Sequence, residues 1–325
     1  MQSILPHDTE WLKHYSPPDK TNWQGRSDDV RYHTAVACHD LRVELADDNK
    51  TKIGIIGFAC DEGVKRNFGR AGAALGPKSF RQSLGTFPYH LPHDIQIYDF
   101  GDIICPHDDL EKAQEYLGMT IALLKKSNYL PVVIGGGHEM AWGNYQGFQD
   151  LDDLAIVNID AHYDLRAVNN NKGNSGTSFT QIAEQRAKNK LPFNYYCLGI
   201  LPSGNTQILH KKAKDLDVHT VCAEQFYADA SSVNQEVQKI IRSHKNIYLT
   251  LCLDVFAAPY VPGVSAPQVL GILPWHAIPI INTFAASKKI ICFDVAELSP
   301  PLDKNFITSK LAASIVDNFL RHVKE

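Results

Sequence analysis

Leu154-Ala155-Ile156-Val157-Asn158-Ile159 runs directly into Asp160-Ala161-His162-Tyr163-Asp164. A short run that is apolar at nearly every position suits a strand buried on both faces, as in parallel sheets covered by helices. At its end, two carboxylates and one imidazole fall on alternate residues. In extended chain, residues two apart point the same way, so Asp160, His162 and Asp164 can converge on one centre if the strand persists. Such a donor set suits a divalent metal ion. A plain polar turn, where Asp is also common, is the other reading of this stretch alone.

Two more segments repeat the pattern. Leu130-Pro-Val-Val-Ile134 ends in Gly135-Gly136-Gly137-His138-Glu139, where glycines permit a tight turn and close backbone approach and deliver His138 to a strand end. Asn246-Ile-Tyr-Leu-Thr-Leu251 runs into Cys252-Leu253-Asp254, again with ligand-capable side chains two apart, and then into a Pro/Gly-rich loop. Three strand ends therefore supply Asp160, Asp164, Asp254, His138, His162 and Cys252.

Eight short apolar runs recur along the chain: 53–58, 95–100, 130–134, 154–159, 195–200, 218–221, 247–253 and 290–295. Several are apolar on both faces, which predicts a three-layer α/β/α sandwich around a mostly parallel, eight-stranded sheet. Amphipathic helices are expected at 110–127 and 231–243, and a closing helix at 303–323. In such sheets ligands bind beyond the carboxyl ends of the strands, where His138, Asp160 and Asp254 all fall. The 325 residues, 44% hydrophobic, divide most economically into an N-terminal extension, 1–50, packed on one catalytic domain, 51–325.

A net charge of −4 with scattered Lys and Arg gives no footprint for nucleic acid or an anionic membrane, so small-molecule partners are expected. Seven cysteines without CxxC spacing read as free thiols of a reducing compartment. Met1-Gln-Ser-Ile-Leu-Pro-His-Asp8 lacks the basic and apolar regions of a signal peptide, and no apolar stretch approaches a membrane span. A cytoplasmic location is expected.

Gly136-Gly137-His138-Glu139, Asp160-Ala161-His162-Tyr163-Asp164 and the segment around Asp254 resemble, in this order and spacing, the signatures of the ureohydrolase superfamily of arginases, agmatinases and formimidoylglutamases. The resemblance extends from Trp23 to the C-terminus. Several segments are similar to the formimidoylglutamase branch: Trp23-Gln-Gly-Arg26 with Arg31 and His33, Cys60-Asp-Glu-Gly-Val-Lys-Arg-Asn67, Asp164-Leu-Arg166, Ser175-Gly-Thr177, Tyr248-Leu-Thr-Leu251 and Pro262-Gly-Val-Ser-Ala-Pro267.

The resemblance implies a pair of Mn²⁺ ions, one held by His138, Asp160 and Asp164, the other by Asp160, His162 and Asp254. The superfamily's remaining ligand is a bridging aspartate, and Cys252 stands in its place. A thiolate conserves charge, but sulfur is a poor partner for hard Mn²⁺, so a weakened pair or a preference for Zn or Fe is expected. The implied reaction is hydrolysis of N-formimino-L-glutamate to L-glutamate and formamide, in histidine degradation. Alternatives are hydrolysis of agmatine or a guanidino acid on the same scaffold, or a ligand-binding homologue that Cys252 has deprived of turnover. Asp164 would move the proton and Glu297 would orient the cationic amidine, with Glu139 behind the ligands. Arg166 is the first choice for the substrate carboxylates, followed by Asn67, Arg70 and the Ser175-Gly176-Thr177 backbone. Phe179 stands where arginases carry a proton-shuttling His, which disfavours arginine as substrate. A homo-oligomer is compatible with the resemblance.

Overall fold

The computed structural model describes residues 9–45, 51–92 and 95–323. Met1–Asp8, read as lacking signal-peptide character, and the last residues of the expected extension, 46–50, lie outside them. The strands are β1 (Tyr15–Ser16), β2 (Ala37–Cys38), β3 (Thr51–Ala59), β4 (Ile95–Ile104), β5 (Tyr129–Gly135), β6 (Leu154–Ile159), β7 (Asn194–Ile200), β8 (His219–Cys222), β9 (Asn246–Cys252) and β10 (Ile290–Ala296). They form one sheet in the order β1-β4-β3-β5-β10-β9-β6-β7-β8, with β2 also on β4. Among the described strands only the β1–β4 pair is antiparallel. The eight expected strands are all present, and two short strands from the N-terminal segment enlarge the sheet to ten.

Neighbouring residues on a strand point to opposite faces, and here both faces are buried. Ile55, Val132 and Val157 enter one core, whereas Ile56, Val133 and Ile156 enter the other. Helices must therefore cover both sides, which gives the three layers. Helix Leu110–Lys126 starts where the Asp109 side chain accepts from Lys112 N, and helix Ala230–Ser243 where Asp229 accepts from Ser232 N. The closing helix runs Ile307–His322, later than its expected start at Asp303. Asp303 instead accepts from the Thr308 and Ser309 amides, and Phe306 takes a left-handed conformation between them. Among the described residues no helix is long and apolar enough to cross a membrane.

The N-terminal segment is tied to the sheet by a buried ion network. Arg81 donates from Nε and Nη2 to Asp99 and from Nη1 to Asp102, while Trp23 Nε1 donates to Asp99 Oδ2 at 2.7 Å. Removing one partner strands buried charge. Arg81→Met is expected to destabilise the protein by about 3–5 kcal/mol, read as a fall in the urea midpoint.

Candidate metal centre

His138, Asp160, Cys252 and Glu297 stand at the ends of β5, β6, β9 and β10, four strands that are side by side in the sheet. Gly136 permits the approach of this turn to β3, because a Cβ there would lie 2.1 Å from the Cys60 carbonyl oxygen. His138 Nδ1 lies 3.0 Å from both Asp160 Oδ2 and Asp164 Oδ2. His162 Nδ1 lies 3.4 Å from Asp160 Oδ1 and 3.3 Å from Asp254 Oδ2. Each oxygen of Asp160 thus faces a different imidazole. Donor atoms gather into two sets, His138–Asp160–Cys252 and Asp160–His162–Asp254, each within 4.8 Å.

The convergence is not that of one long strand. β6 ends at Ile159, and Asp164 reaches His138 because its backbone turns left-handed, at φ 48°. Asp254 lies in the single 3-10 turn Leu253–Val255. Glu297 is also left-handed, at φ 68°, and its Oε1 accepts from His138 N at 3.0 Å. Such backbone costs of order 1–3 kcal/mol per residue and persists only where the surroundings impose it.

The electrostatics follow from acids crowded away from water. Burial opposes charge on His138, but Asp160 and Asp164 outweigh it and raise its pKa well above the ordinary imidazole value. Burial is likewise outweighed at His162, by Asp254 and Asp160. Burial would raise Asp160, yet the two imidazoles hold it well below the usual carboxylate range. Asp164 and Asp254 are pushed up, chiefly by burial and then by the charge of Asp160. Glu297 is pushed up by burial and by Glu139 and Asp254, and the Cys252 thiol by burial and the surrounding carboxylates. His138 Nδ1 and Asp254 Oδ1 are buried without a hydrogen-bond partner. Crowded acid and unpartnered buried donor atoms fit divalent cations, which would hold the acids as anions and engage those atoms. Cys252 is the one soft donor among them.

Glu139 turns away from these atoms. It is buried, accepts from Gly63 N at 2.9 Å, and is pushed up to about 7 by burial. Phe179 is wholly buried, edge-on to His138 with ring centroids 5.5 Å apart, so no ionisable group occupies that position. Asn158, Thr250 and Asp294 were not expected from the motifs, yet they form a buried polar layer beneath the donors. Their available signal was placement two residues before a donor, on the same strand face, for Asn158 and Thr250.

A cavity of about 380 Å³ opens over the site, lined by His138, His162, Asp164, Cys252, Asp254 and Glu297, and by Asn67, Phe68, Arg70, Arg166, Ser175 and Ser265 among others. Arg166 is exposed to this cavity, and among the described residues no carboxylate pairs with its guanidinium. Arg70 also lines it, but its Nε and Nη2 donate to the Ser265 and Val264 carbonyls. Asn67 Nδ2 donates to Ser175 Oγ at 3.0 Å. Gly176 and Thr177 are off the wall: the Gly176 carbonyl accepts from Arg166 N, and the Thr177 hydroxyl bonds to the Asn174 carbonyl.

Fold and donor set together define an α/β protein built around a candidate centre for divalent metal. The sequence model of the Arginase family matches residues 51–321, and the chain belongs to that family. Within it, the chain is similar to a formimidoylglutamase of Legionella pneumophila (strain Paris), 40% identical over 95% of this chain and 98% of the relative. Its fold is similar to that of the formimidoylglutamase from Bacillus subtilis subsp. subtilis str. 168, with a TM-score of 0.81 at 18% identity over 92% of this chain and 93% of that one. It is also similar to that of Trypanosoma cruzi formiminoglutamase with Mn²⁺, with a TM-score of 0.77 at 23% identity over 91% and 98%.

Proposed function

We propose that the chain hydrolyses N-formimino-L-glutamate to L-glutamate and formamide, a step of histidine degradation, at a centre for two divalent metal ions. The observation that carries this reading is 40% identity to a formimidoylglutamase across nearly the whole of both chains. His138, Asp160, Asp164 and Cys252 would hold one ion, and Asp160, His162, Asp254 and Cys252 the other. The Mn²⁺ in the T. cruzi protein favours manganese, while the sulfur of Cys252 draws the preference toward Zn or Fe. Residues 51–325 form the catalytic unit and 1–50 an extension of it. Seven free cysteines suit a cytoplasmic location.

Divalent ions bound there would supply hydroxide near neutral pH. Asp164 accepts a hydrogen bond from the attacking water, takes its proton and passes it to the departing nitrogen of glutamate. Glu297 faces the cationic N–C–N unit and fixes the amidine carbon for attack. Arg166, whose guanidinium is exposed to the cavity, receives a substrate carboxylate.

The test is product identity: formamide and glutamate from formiminoglutamate support the assignment, whereas urea from agmatine with no turnover of formiminoglutamate would reject it. Arg166→Met is expected to raise KM for formiminoglutamate while kcat changes little. A lost charge-assisted bond is worth about 1.5–3 kcal/mol, or roughly 10- to 150-fold.

A further inference from the structure

Asn158 on β6, Thr250 on β9 and Asp294 on β10 are register partners across three adjacent strands, and all three are wholly buried. His138 Nε2 lies 2.9 Å from Thr250 Oγ1. Thr250 Oγ1 in turn donates to Asp294 Oδ1 at 2.6 Å. The other oxygen of Asp294 accepts from the Tyr248 hydroxyl and, at 2.9 Å, from the Asn144 amide. Among the described residues no Lys or Arg pairs with this carboxylate. Burying it without a cation is costly, and filling the space would need only an apolar side chain. Its distinctive capacity is to accept protons in hydrogen bonds.

A hydroxyl has one proton to give. With that proton directed to Asp294, Thr250 Oγ1 can only accept from His138, which keeps a proton on Nε2 and makes Nδ1 the atom whose lone pair a metal ion would take. Nδ1 is the atom 3.0 Å from Asp160 Oδ2 and Asp164 Oδ2, buried and without a hydrogen bond. We propose that Asp294, acting through the Thr250 hydroxyl, is a positioning residue that locks His138 in the tautomer and ring orientation presenting Nδ1 to a metal ion. This inference rests on the metal-centre reading of the site.

Mn²⁺ binding by the full chain tests it. Thr250→Val keeps the shape and loses the hydroxyl, and its Mn²⁺ affinity is expected to fall about 10- to 100-fold, whereas Thr250→Ser restores it. Asp294→Asn can donate toward Thr250 and reverse the chain of protons, so a loss of the same order is expected. A second readout is magnetic resonance of Zn²⁺-loaded protein carrying isotope-labelled histidine, which should show His138 protonated on Nε2. A proton on Nδ1 in that protein, or equal Mn²⁺ affinity in the Val and Ser variants, would overturn the inference. Should the Val variant fail to fold, the wild-type tautomer and the Asp294→Asn affinity still decide. A wild-type chain that takes up no Mn²⁺ removes the metal-centre reading and this inference together; normal uptake with indifferent variants removes this inference alone.

Discussion

Asp160→Asn is expected to bring the metal content of the chain from the two proposed ions toward none, and to lower formiminoglutamate turnover by about 10³-fold or more, the size of losing several kcal/mol of metal-ion catalysis. Among the described residues Asp160 is the side chain whose two oxygens are divided between the donor sets, one facing His138 and the other His162. Asparagine keeps the shape but offers one neutral oxygen where two anionic ones would serve the two proposed ions. The metal-free protein also feels the change. The two imidazoles hold the Asp160 carboxyl below its ordinary range, so its folded pKa lies under its unfolded one. Stability from that group is present above the unfolded value and is lost as pH falls through the folded one. The variant's metal-free deficit should therefore be larger at neutral pH than in acid. Elemental analysis after Mn²⁺ loading and desalting reads the first effect, and formamide release the second. Two retained ions and undiminished turnover would refute the shared role of Asp160.

Much of this site was legible because its donors sit where apolar runs stop. Leu130–Ile134, Leu154–Ile159 and Asn246–Leu251 are apolar on both faces, so each announces a central strand, and the polar residue that follows is carried to the sheet's carboxyl edge. β1 and β2 were not legible, since two residues are too few to show a period. Nor were the left-handed turns at Asp164 and Glu297, which surrounding structure imposes and side-chain pattern does not. The layer formed by Asn158, Thr250 and Asp294 depends on β6, β9 and β10 being neighbours, although long stretches of chain separate the first from the others. Local sequence carries no record of that adjacency. The same holds for Arg70 and Arg166, alike as residues; only their surroundings show one guanidinium held by backbone carbonyls and the other open to the cavity.

Cys252→Asp separates the metal-free and metal-loaded proteins most sharply. The sulfur lies within 4.8 Å of the His138 and Asp160 donor atoms and lines the cavity, so a carboxylate at this position would face the same proposed ions. Mn²⁺ is hard and prefers oxygen, and a carboxylate offers two oxygens where the thiolate offers one sulfur. Its affinity for Mn²⁺ is expected to rise about tenfold or more, equivalent to about 1.4 kcal/mol, with faster turnover and less preference for Zn²⁺. Without metal the sign reverses. Burial and nearby carboxylates already raise the Cys252 thiol, keeping it neutral, whereas aspartate adds an acid to a site where Asp164, Asp254 and Glu297 are already pushed up. The variant should therefore melt below wild type after chelation and gain more than wild type on adding Mn²⁺, because ligand bound only to the native state stabilises it in proportion to the logarithm of concentration over Kd. Thermal unfolding with chelator and with Mn²⁺, alongside Mn²⁺ titration, measures both signs. Unchanged affinity together with unchanged melting in both conditions would place Cys252 outside the metal site.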